Sequence, residues 1–155
     1  VEDDIEMEKW QLAAEAAFVI PCCVRDLFRK SIPFWYFASG GAAAVLLCIL
    51  MPPGQEEVPE IALSVLPGAF LLLVCFATGE KIGAGDGIFF VLLGLMVRDA
   101  EKMLVLLCLS LLFSSAVSAV LLGMGRVRRS TKLPFLPFAG IAAAVLFFAE
   151  GGLLP

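Results

Sequence analysis

Histidine is absent from the sequence, and charged residues make up only 17% of it. Without histidine there can be no His-ligated metal site and no Ser-His or Cys-His nucleophile pair. Five cysteines are present but no C-x-x-C pair occurs, which excludes a zinc ribbon on spacing. Those cysteines read as small apolar packing residues. No basic block alternates with aromatics, so no nucleic-acid face is expected. Neither a cofactor nor a metal ion is called for.

What is present is apolar. The chain is 61% hydrophobic with a mean hydropathy of +0.97, far outside the range of soluble domains. A chain of 155 residues cannot bury that much apolar surface in its own interior, so the excess must face lipid. A bilayer core of about 30 Å takes about 20 helical residues, and backbone groups in lipid must be satisfied within helices. Six segments are predicted as spans: 11–24, 34–51, 61–78, 83–97, 103–124 and 133–154. The first and fourth are short. Between them lie "SIP", "MPPGQEEVPE", "TGEKIGAGD", "RDAEK" and "GRVRRSTKLP", all charged or rich in Pro and Gly. The acidic start has the wrong sign for a signal peptide, so the first segment is expected to be a mature helix. The fold class is therefore all-α, a polytopic membrane protein with six transmembrane helices.

Lys and Arg in short loops set orientation. Arg25, Arg29 and Lys30 follow the first span, Lys81 the third, and Arg126, Arg128, Arg129 and Lys132 the fifth. The intervening loops carry Glu56, Glu57 and Glu60, then Arg98, Asp99, Glu101 and Lys102. Both termini are thereby expected outside, with the basic loops in the cytoplasm. Asp26 and Asp86 then share the cytoplasmic side at similar depth.

Ionisable groups at membrane depth are costly and call for a reason. Taken singly, Asp26 reads as a solvated loop acid paired with its basic neighbours, and Asp86 as the N-cap of the fourth helix. Taken together they suggest a reaction. Two carboxylates sharing a site cannot both ionise easily, so one keeps a proton while the other takes one from water. Gly83, Gly85 and Gly87 flank Asp86, which would let an extended substrate backbone approach; glycines also pack helices. Glu80 is the rival acid, with Lys81 beside it as a simple partner.

Three stretches resemble the prepilin peptidase family, the G-x-G-D membrane aspartic proteases that mature type IV prepilins and related precursors. "RDLFRKSIPFW" is similar to the first-aspartate motif, with Asp26, Ile32 and Pro33. "GAGDG" matches G-x-G-D, with Asp86. "KLPFLPFAGIAAA" is similar to the entry into the last helix, with Pro134 and Pro137. Phe34 stands where many members carry asparagine, and Ile88 where many carry lysine. The resemblance implies one transmembrane peptidase domain over 1–155 with Asp26 and Asp86 catalytic, and no N-methylating region. Its substrate would be a prepilin-like precursor with a short basic leader, cut at the cytoplasmic face of the cell membrane. Presenilin-type and signal-peptide-peptidase-type proteases share G-x-G-D, but there a Tyr precedes the first acid, whereas here Arg25 does. A non-enzymatic carrier or assembly scaffold is the alternative from another class.

Overall fold

The computed structural model describes residues 2–29, 33–79, 83–125 and 134–149. Among these residues helices are the only regular structure, joined by short turns, and no strand occurs. The six helices are α1 (Glu2–Arg29), α2 (Phe34–Leu50), α3 (Val58–Ala77), α4 (Ala84–Val97), α5 (Ala100–Gly123) and α6 (Leu136–Ala149). α3 and α5 are long and apolar enough to cross a membrane, with mean hydropathies of 2.2 and 2.5. α2, α4 and α6 are shorter apolar helices.

α1 departs from the expected segment 11–24. It runs unbroken for 28 residues, through Pro21 and on past Asp26. The Glu, Met and Lys residues of its polar start are good helix formers, which carries the helix beyond the apolar stretch. Asp26 is consequently not a loop acid: it lies in the last turns of α1 and is buried. α2 to α5 begin and end close to the expected spans, whereas the expected bounds of the sixth, 133 and 154, lie outside the described residues.

α4 is the hub. Its 14 residues give a length of about 21 Å, yet Gly87, Phe89, Phe90, Leu93, Gly94 and Met96 are all buried. α4 packs against α1, α2, α3 and α5, most extensively against α3. Close approach is enforced by small residues. A Cβ on Gly94 would strike the Ser64 carbonyl, and one on Gly68 would strike the backbone of Phe90 and Val91. The buried Ser64 hydroxyl lies 2.8 Å from both the Ile61 and Gly94 carbonyl oxygens, adding a polar tie at the contact. Such small-residue seams are how helices associate where lipid removes the hydrophobic drive.

The core clusters on α4's aromatics. Phe18 stacks on Phe89 with ring centroids 5.4 Å apart, Phe90 meets Phe89 edge-on, and Phe135 lies beyond Phe90. Gly40 makes room for the Phe18 ring. Outward, α3 presents Leu63, Leu66, Phe70, Leu73 and Phe76, and α5 presents Leu104, Leu111, Leu112 and Val120, all exposed. So large an apolar exterior marks a surface made for lipid or a partner rather than water.

Cys22 and Cys75 are fully buried, as packing residues should be, but Cys108 is exposed on α5. That face points outward, where a small apolar side chain is equally at home.

Candidate active site

Asp26 and Asp86 reach the same end of the bundle from separate stretches of chain, one in the last turns of α1 and the other in the first turn of α4. They lie close enough for the charge of one to act on the other. Asp86 does not cap α4. The N-cap is Gly83, which makes no side-chain capping bond, and Asp86 sits inside the first turn, its N–H donating to the Gly83 carbonyl at 3.1 Å. A carboxylate there also faces the positive end of the α4 dipole.

Asp26 is only 8% exposed, and the reason it can be buried lies on α6. The first N–H groups of a helix have no intrahelical acceptor. In α6, Phe138 and Ala139 donate to the Phe135 carbonyl at 3.0 and 3.3 Å, while Pro137 has no N–H to place. The remaining donor, the Leu136 N–H, reaches Asp26 Oδ2 at 3.1 Å. One residue of backbone is gripped twice, for the Cys23 thiol donates to the Leu136 carbonyl at 3.1 Å. Gly140, one turn further along α6, brings that helix against Cys23: a Cβ there would sit 2.6 Å from the sulfur. The acid, the thiol and the start of the last helix form a single clamp.

The three glycines around Asp86 face different neighbours. A Cβ on Gly83 would lie 3.5 Å from the Asp86 carboxylate, and one on Gly85 would lie 3.4 Å from the Phe37 ring of α2. The room left by Gly87 is filled by Leu72 of α3, where a Cβ would come within 2.6 Å. Gly87 therefore seats one helix on another, and of the three only Gly83 borders the acid itself. Pro33 precedes α2 in extended conformation, with ψ 150, and hands Tyr36 and Phe37 to this end of the bundle. Pro134 and Pro137 bracket the Leu136 donor. Ile32 and the rival Glu80 lie outside the described residues, as do Lys30, Lys81 and the basic stretch 126–132.

At the far end of α4, Asp99 caps α5, accepting the Lys102 N–H at 3.0 Å, and so is a helix-length away from Asp86. A cavity of about 560 Å³ opens on that side between α1, α4, α5 and α6, with Gln11, Glu15, Asp99 and Lys102 at its polar rim. Among the described residues no cluster of three or more metal-ligating side chains occurs. The arrangement beside α6 can do acid–base chemistry with two carboxylates. Sequence reasoning missed the Leu136 N–H; the signal was the pair of prolines, between which only the Phe135 and Leu136 N–H groups remain at a helix start.

A family model described as "Type IV leader peptidase family" matches residues 13–124, a stretch holding both acids. No curated protein matches the chain, and no solved structure matches it.

Proposed function

The chain belongs to the type IV leader peptidase family, and on that premise we propose that it is a membrane aspartic endopeptidase that removes the short basic leader from prepilin-like precursors. The observation carrying this reading is the approach of Asp26 to Asp86, two acids from distant parts of the chain within reach of each other's charge.

The two carboxylates share one proton and titrate as a unit. The charged one draws a proton from water as the water oxygen bonds to the scissile carbonyl carbon. The protonated one gives its proton to the carbonyl oxygen, forming a neutral tetrahedral intermediate. Collapse re-forms the carbonyl, breaks the C–N bond and delivers a proton to the departing amine, regenerating the pair. The Leu136 N–H holds Asp26 in place through these steps, and the bare backbone at Gly83 and Gly85 leaves room for an extended peptide.

The end carrying the acids faces the cytoplasm in this reading. Arg25 and Arg29 sit there, and cationic side chains are retained on that side. A basic leader remaining in the cytoplasm would then meet the acids, while the apolar stem of the precursor lies against the bundle in lipid.

The test is cleavage of a leader-bearing pilin-like precursor by the purified protein in liposomes, comparing wild type with Asp26→Asn and Asp86→Asn. Each variant is expected to insert, keep its helical circular dichroism and fail to cut. Normal cleavage by both would overturn the proposal.

A further inference from the structure

On the acid end a second cavity of about 350 Å³ opens between α1 and α2. It is lined by Pro21, Val24, Arg25, Phe28, Arg29 and Tyr36. Among the described residues of its lining are two cations and no acid. The Arg25 guanidinium lies over the Tyr36 ring, 5.6 Å from its centroid, an arrangement that orients the fork by cation–π attraction. Its Nε is buried and has no acceptor among the described residues. A buried guanidinium N–H without an acceptor is costly, and an anionic oxygen entering the cleft would satisfy it.

The rest of the lining says what kind of anion. Pro21, Val24 and Phe28 continue the cleft as apolar surface along α1, and Val24 and Phe28 are exposed, Phe28 by 79%. Trp35, 80% exposed, stands beside Tyr36 at the start of α2, the position of an interfacial aromatic belt. Cations set among apolar side chains match an amphiphile. Guanidinium forks grip phosphate bidentately, and basic pockets between membrane helices take anionic head groups. We propose that this cleft binds an anionic phospholipid, with Arg25 and Arg29 on its phosphate and an acyl chain along Pro21, Val24 and Phe28. The site depends on the chain lying in a bilayer and not on its being a peptidase. Because Arg25 adjoins Asp26, an occupied cleft also steadies the end of α1 that carries the acid.

Native mass spectrometry of the detergent-purified protein, titrated with phosphatidylglycerol or phosphatidylcholine, tests this. Phosphatidylglycerol is expected to bind at least about tenfold more tightly, and Arg25→Gln or Arg29→Gln to weaken it by about fivefold each, with phosphatidylcholine unaffected. Arg29 is exposed, so Arg29→Gln reads the site even where Arg25→Gln disturbs folding. Equal affinity for the two lipids, or unchanged binding by Arg29→Gln, would overturn the proposal. So would displacement of phosphatidylglycerol by equimolar inorganic phosphate or by an acidic peptide, since either would mark a bare anion site. Leader cleavage plays no part in these readings, so failure here leaves the peptidase proposal standing, and the reverse.

Discussion

At the end of the bundle carrying Gln11 and Arg98, polar side chains tie one helix to another through backbone carbonyls, whereas at the end carrying Asp26 and Asp86 ionisable groups face each other. Gln11 Nε2 reaches the Met96 and Val97 carbonyl oxygens at 2.8 and 3.2 Å, linking α1 to the end of α4. Arg98 donates to the Met51 carbonyl at 2.7 Å, closing α2 onto the same point. It does so from a left-handed conformation, φ 56, that favours glycine and is tolerated only where other contacts hold it. Asp99 ends the sequence of ties by capping α5. At the acid end the ties among the described residues converge on the start of α6, where the Leu136 N–H reaches Asp26 and the Cys23 thiol reaches the Leu136 carbonyl. A bundle braced at one end can hold two acids together at the other, the kind of local conflict that the proposed chemistry would call for.

The sharpest way to break this contrast is to mutate both ends and read two quantities. Asp26→Asn or Asp86→Asn should lower leader cleavage by about 10²–10⁴-fold, the range for a positioned acid or base, with thermal stability unchanged or raised as the cost of crowding two acids into one site is relieved. Arg98→Gln should do the opposite. It removes a charge-assisted bond to a carbonyl and costs about 1.5–3 kcal/mol in stability, measured by denaturation in detergent, while cleavage at a temperature where the fold persists stays within about threefold. An Arg98 variant that lost activity without losing stability would erase the division between brace and site.

A second probe addresses the seam joining the two ends. Gly94→Ala places a methyl against the Ser64 carbonyl, and since backbone cannot move aside like a side chain, the cost should be about 1–3 kcal/mol. Gly123→Ala, with open space around it, serves as the matched control and should be neutral or slightly stabilising. Equal effects of the two would mean that α3 and α4 are not in the close contact described.

How much of this was legible beforehand differs between the two ends. The absence of histidine and the placing of Asp26 and Asp86 by loop charge led to the acid end without any structure. Hydropathy located α2 to α5 to within a few residues, because long apolar runs declare themselves. α1 was read too short: Pro21 and the basic residues after it look like a boundary, and only packing against α4 and α6 shows that the helix continues. Gly87 was read toward substrate when its reason lies across the seam at Leu72, and a glycine does not announce which neighbour required it. The braces were illegible for a related reason, since backbone carbonyls and N–H groups are the same at every residue. The prolines of "KLPFLPF" are the exception, because removing donors on either side narrows the choice to the Phe135 and Leu136 N–H groups.

That clamp yields the smallest and most discriminating prediction. Gly140→Ala would bring a methyl to 2.6 Å from the Cys23 sulfur, pushing the start of α6 away from α1 and loosening the Leu136 hold on Asp26. A loss of about 1 kcal/mol in stability and a fall in kcat of about three- to tenfold with KM little changed are expected, because positioning rather than binding is disturbed. Cys23→Ala alone gives up only a weak thiol donor and should change kcat by less than about twofold. The double variant removes the obstructing sulfur and should recover most of the Gly140→Ala loss, a coupling that a double-mutant cycle reads directly. Additive losses would show that α6 does not lean on Cys23, and the Leu136 donor would then have to be held over Asp26 by something other than this contact.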